Sequence, residues 1–302
     1  MPTSPSRRFL LTVILVGAAA SGLARPVFTQ AQADSRERTL FLSAVDKSGE
    51  PIDDLRISDV IVREDGARRE ILRLSRAIEP IDIALLIDNS AAAEGAVIPM
   101  RSALRSFVRA MAEGNEIAVI ALADRPTVVV EYTSDLKKLE NGVGGLFAMS
   151  GSGMTLLDAV TETVRGLARR NAPRAMIVTV INDGPEHSTR QYRQVIDAMK
   201  TAHAQLHAVT VGTFAFSNQS EARERAFVLD LGTKESGGQR MTLLSPMGLD
   251  NALGKLARDL STQYKVVYGR PQSLVPPEKL EIASGRRGVT LRGTPMRGQA
   301  GA

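Results

Sequence analysis

The hydrophobic pattern changes character at residue 81. From residue 39 to 76 short apolar stretches alternate with polar positions and are broken by turn signals: Asp46-Lys47-Ser48-Gly49, then Asp65-Gly66. Such alternation predicts strands near residues 40–45, 57–63 and 69–74. At Ile81-Asp82-Ile83-Ala84-Leu85-Leu86-Ile87 the run is almost continuously apolar, as in a parallel strand covered on both faces. After it, helical periodicity and strand-like runs take turns. Helices are predicted over residues 98–111, 135–139, 156–169, 190–202 and 249–260. Strands are predicted over 117–122, 127–132, 175–181, 206–211, 240–244 and 264–268, with another near 288–291.

Alternating strands and helices imply an α/β fold: a doubly wound, mostly parallel sheet with helices on both faces, flanked by a small β-rich module. The expected organisation is a signal peptide at 1–33, a β-rich segment at 34–80, the α/β domain at 81–263, and closing strands with a basic tail at 264–302. Neither flank can bury a core alone. The leading segment and the closing strands are therefore expected to pair into one small sheet.

Composition narrows the picture. The chain has 302 residues, 43% hydrophobic but only 4% aromatic, with no Trp, so its core must be built from aliphatic side chains. Arg7 and Arg8 precede an apolar run over residues 9–20, and Ala31-Gln32-Ala33 offers small residues for cleavage, which is the layout of a secretory leader. Export by the general secretory route follows, with Ser6-Arg7-Arg8-Phe9-Leu10-Leu11 also compatible with the twin-arginine route. The expected location is periplasmic or secreted, without stable membrane insertion after leader removal. No cysteine is present, so neither disulfides nor thiol-linked lipids are used.

Thirty-eight basic against 33 acidic residues give +5. Losing Arg7, Arg8 and Arg25 with the leader leaves 35 − 33 = +2. A nearly balanced chain does not suggest a nucleic-acid partner, which demands clustered Lys and Arg, and none is expected. The one basic cluster, Arg286, Arg287, Arg292 and Arg297, reads as a solvated tail.

Three segments could carry chemistry, and each also has an ordinary structural reading. Asp88-Asn89-Ser90-Ala91-Ala92 ends the first buried strand and suits a turn or helix cap. Gly151-Ser152-Gly153-Met154-Thr155 leads into a helix, where Thr155 and Asp158 fit a capping box or Thr155 could face a cation. Asn182-Asp183-Gly184 follows a later strand as a tight turn. Taken together they set Asp88, Ser90, Thr155 and Asp183 at one edge of the sheet, and hydroxyl and carboxylate oxygens with room for water suit a hard cation.

The order Asp-x-Ser, then Thr in a glycine-rich loop, then Asp-Gly resembles the metal-ion-dependent adhesion site of von Willebrand factor A domains, over roughly residues 81–263. The flanks, Val45-Asp46-Lys47-Ser48-Gly49-Glu50-Pro51 and Gln263-Tyr264-Lys265-Val266-Val267-Tyr268-Gly269, resemble those of an exported bacterial family related to this domain. The resemblance implies Mg²⁺, or Mn²⁺ or Ca²⁺, held by Asp88, Ser90 and Thr155 directly and by Asp183 directly or through water. A protein partner's carboxylate then completes the shell. Ala92 departs from the family's second serine, and Asn182 from its threonine.

The implied function is a non-enzymatic adhesion module. A metal-independent periplasmic scaffold is the competing reading that Ala92 sustains, and a hydrolase using Asp88 and Asp183 is the third. His187, His203 and His207 fall in different elements, so no nucleophile with a base and no zinc pair is expected. The first loop also lacks the glycines of a dinucleotide site.

Overall fold

A computed structural model describes residues 37–213, 220–270, 277 and 279–295, all within one compact unit, residues 36–302. The expected signal peptide (residues 1–33), Arg297 and the extreme tail lie outside the described residues.

The predicted strand at residue 81 is β5 (Ile81–Ile87), buried at every position. The chain opens with β1 (Glu37–Val45), β2 (Val60–Glu64), β3 (Ala67–Arg69) and β4 (Ile71–Arg76), and beyond β5 come α1 (Val97–Met111), β6 (Glu116–Ala121) and β7 (Thr127–Thr133). Next are α2 (Leu136–Gly144), α3 (Leu156–Arg170), β8 (Arg174–Asn182), α4 (Tyr192–Ala202) and β9 (Gln205–Val211). The remainder is α5 (Ser220–Phe227), α6 (Thr233–Glu235), β10 (Arg240–Leu243), α7 (Leu249–Ser261), β11 (Tyr264–Gly269), β12 (Leu280–Ser284) and β13 (Thr290–Pro295).

The main sheet has six strands in the order β10-β9-β8-β5-β6-β7. All neighbours are parallel except β6 and β7. Alternation along β5 divides the core: Ile81, Ile83, Leu85 and Ile87 pack with α1, α2 and α7, while Ala84 and Leu86 pack with α3 and α4. From β5 the chain winds outward through β6 and β7, then crosses to β8 on the opposite side. The sheet's order therefore reverses between β5 and β8, and a crevice at their carboxyl ends is where such sheets bind ligands.

The flanking strands do pair, but not as one sheet. One sheet has the order β13-β1-β11-β4 and another β12-β2-β3. A single sheet would leave one face of Leu40, Leu42 and Ala44 in water; two sheets cover each other and share a core with Val60, Val62, Tyr264, Val266 and Tyr268. Gln263 ties this module to the main sheet. Its side chain donates to Ser43 Oγ at 3.1 Å and accepts from the Arg174 guanidinium at 2.8 Å. The basic cluster is likewise not all tail: Arg292 reaches the buried Asp259 at 2.8 Å and Arg286 reaches Asp54 at 2.8 Å, because β13 carries this stretch back against the module.

Candidate functional site at the carboxyl edge

β5 delivers Asp88, which is fully buried. Its Oδ1 accepts the Ser90 N–H at 2.9 Å, and its Oδ2 accepts the backbone N–H and side-chain Nδ2 of Asn182 at 2.9 and 3.1 Å. The carboxylate thus clamps the end of β5 to the end of β8. Asn182, which departs from the family's threonine, serves that clamp. Asn89 makes the matching clamp on the other side, its Oδ1 accepting the N–H groups of Leu122 and Ala123 at 3.1 and 2.8 Å. Ser90 is also fully buried, and its Oγ has no hydrogen-bond partner.

The loop before α3 lies across this edge. Met154 bridges to Ala123 on one side and Glu186 on the other. Gly153 is required there, because a Cβ would stand 2.4 Å from the His187 ring.

Thr155 does not cap α3 as the sequence suggested. Its Oγ1 donates to the Leu122 carbonyl at 2.8 Å. The first turn of α3 is capped instead from the loop after β8, where Glu186 Oε1 accepts the Leu156 N–H at 3.0 Å and Ser188 Oγ accepts the Asp158 N–H at 3.1 Å. A carboxylate at a helix N-terminus satisfies orphan amides and complements the helix dipole, so Glu186 outcompetes the hydroxyl. Thr155 consequently spends only its proton, and its lone pairs remain available. Burial pushes the Glu186 carboxyl up to about 7.

Asp183 begins the turn after β8 and is 37% exposed at its side chain. It faces the buried Arg225 of α5 at 3.8 Å. Gly184 follows it against Ala92: a Cβ on Gly184 would lie 2.5 Å from the Ala92 methyl. That methyl occupies the place on the loop where the family has its second serine.

Asp88, Ser90, Thr155 and Asp183 lie on the loops around the β5–β8 crevice. The edge also contains Arg225, Glu186 and Asn89, which the motif did not flag. A recess of about 680 Å³ opens beside it, lined in part by Pro185, Glu186, His187 and Glu224. Among the described residues, no three His, Cys, Asp or Glu side chains form a group suited to a metal, so a cation here would depend on the hydroxyls. The histidines are scattered: His203 caps α4 in the left-handed region, and His207 is buried in β9.

A doubly wound sheet carries Asp-x-Ser, a threonine loop and Asp-Gly at its switch point, which sets the class of the fold as α/β. Residues 83–186, from β5 into the turn after β8, match the family model for the von Willebrand factor type A domain. No curated protein matches it in sequence.

Among solved structures it is similar to proximal thread matrix protein 1 of the mussel byssus, at 16% identity and a TM-score of 0.48, over 65% of this chain and 50% of that one. It is also similar to a von Willebrand factor type A protein from Catenulispora acidiphila, at 12% identity and 0.48, over 87% and 74%. A third is the type V pili tip protein Mfa5 of Porphyromonas gingivalis, at 12% and 0.48, over 61% and 96%. The chain thus spans half the length of the byssus protein.

Proposed function

We propose that this is an exported, non-catalytic protein-binding module whose contact face is the carboxyl edge around Asp88, and that the edge holds a divalent cation through a reduced set of oxygens. The observation carrying this reading is Ser90: its hydroxyl is buried beside the Asp88 carboxylate without any hydrogen-bond partner. An unsatisfied buried hydroxyl costs about 1–3 kcal/mol, and a cation ligand is a reason to keep one.

The donor set fits. Asp88 accepts three hydrogen bonds on two oxygens, leaving capacity for a further contact. Thr155 is oriented by the Leu122 carbonyl with its lone pairs unspent. Ser90, Thr155 and Asp88 would hold the ion, Asp183 would add charge from the rim, and water would stand in for the hydroxyl that Ala92 lacks, as Mg²⁺ readily keeps waters. A bound Mg²⁺ or Mn²⁺ supplies an open coordination position for a carboxylate of the partner. The chain's own residues fix the face: Asp88 and Asn89 lock three strand ends together, so the loops present a preorganised surface.

Export follows from the leader-like first 33 residues, and the periplasm or the medium is the proposed location. No helix among the described residues is long and apolar enough to cross a membrane.

The test is calorimetric titration of the purified protein with Mg²⁺ and Mn²⁺. Saturable binding at one site is expected. No saturation through the millimolar range would refute the metal reading and leave the metal-independent scaffold.

A further inference from the structure

α5 is polar along its length, yet one of its side chains is buried, and that one is Arg225. Burying a guanidinium is costly unless it is met by hydrogen bonds and opposite charge. Arg225 has both. Its Nη1 donates to the Gly184 carbonyl at 2.6 Å, and its Nη2 stands 3.8 Å from Asp183 Oδ1. Burial lowers its pKa, and the negative charges of Glu186, Asp183 and Asp88 oppose that shift. One fixed positive charge therefore sits within electrostatic range of the carboxylates that a divalent ion would use, on the turn that follows Asp183.

We propose that Arg225 sets the ion affinity of this edge, a built-in cation that partly neutralises Asp183 and Asp88 and so holds divalent-ion binding weak. The inference rests on the metal reading above and adds what sets its strength. Ala92, a departure from the family's pattern, acts in the same direction. Ala92 removes a donor, and Arg225 supplies part of the positive charge that a full donor set would draw from the metal. The edge then keeps its loop geometry while binding a divalent ion only weakly, and a partner carboxylate would add negative charge that strengthens the hold.

Calorimetric titration with Mn²⁺ tests this on the wild-type protein and on Arg225→Gln, Arg225→Met and Arg225→Lys, each checked for native circular dichroism. A unit charge a few ångströms from a divalent ion, even strongly screened, changes affinity by about tenfold or more. Arg225→Gln and Arg225→Met are expected to bind Mn²⁺ at least about tenfold more tightly than wild type. Arg225→Lys, which keeps the charge, is expected to stay near the wild-type value. The two neutral side chains differ in shape and polarity, so failure of one to fold leaves the other to report.

Equal saturable binding by wild type and the neutral variants would overturn this inference while leaving the metal reading intact. Tightening by Arg225→Lys equal to that of Arg225→Gln would also overturn it, because charge would not be the cause. Absence of binding in every protein would overturn both.

Discussion

Replacing Ser90 by alanine separates the two roles that a buried residue at this edge can have. The Ser90 Oγ is enclosed and makes no hydrogen bond, so its removal leaves no partner stranded and takes away one unsatisfied group. Unfolding stability without metal should stay unchanged or rise by about 1 kcal/mol. Asp88→Ala behaves oppositely. It strands the Ser90 N–H and both Asn182 donors, and at about 1–3 kcal/mol for each buried orphan the loss is about 3 kcal/mol or more. Loss of metal binding in Asp88→Ala would thus be confounded with damage to the fold, whereas in Ser90→Ala it would not. Urea unfolding in a chelator, paired with Mn²⁺ titration, reads both quantities. The expected result is native-like stability with Mn²⁺ binding lost or severely weakened. Destabilisation by more than about 1 kcal/mol would show that the hydroxyl has a structural partner. Unchanged Mn²⁺ binding would show that it is not a ligand.

Three further outcomes follow from the same structure. Ala92→Ser restores the missing donor at a partly exposed residue of the 3-10 turn Ala91–Ala96 and should tighten Mn²⁺ binding by about tenfold, read by the same titration. His207 is buried in β9, and burial, followed by the charge of Arg292, pushes its pKa down to about 3. Because the folded value lies below the ordinary value, this group's contribution is complete above about pH 6.5 and is lost as pH falls toward 3; at pH 5 the loss is about 2 kcal/mol. His207→Leu should lose that much less stability than wild type between pH 7.5 and pH 5 in urea unfolding, and identical losses would refute the assignment. Truncation before Leu280 removes β12 and β13, the partners of β2 and β1, and should render residues 37–76 sensitive to limited proteolysis; unchanged resistance would show that the pairing adds nothing.

The main sheet was legible because its central strand is covered on both faces, which leaves an unmistakable apolar run at residues 81–87. The order of Asp88, Ser90, Thr155 and Asp183 was legible because sheet topology brings successive strand ends to one edge. Capping of α3 was not, since Glu186 and Ser188 arrive from about 30 residues away, while Thr155 and Asp158 form a local pattern that sequence spacing favours. Arg225 was hidden for a different reason. α5, Ser-Glu-Ala-Arg-Glu-Arg-Ala-Phe, has no apolar stripe, and nothing in it distinguishes an arginine that is buried from Arg223 beside it. The division of the flanks into two sheets escaped notice because β12 is half-buried throughout and its apolar signal is weak.

The pairing of β1 with β11 and β13 joins the two ends of the described chain. Ser43 and Gln263 meet across 220 residues of chain, whereas β5, β6 and β8 are joined by connections of ordinary length. Closing so long a loop is slow when nothing else holds the ends together, and an α/β layer formed beforehand would shorten the search by bringing β1 and β11 near each other. Until β11 and β13 have been synthesised, β1 lacks both of its sheet neighbours, and an unpaired strand of this kind is open to aggregation.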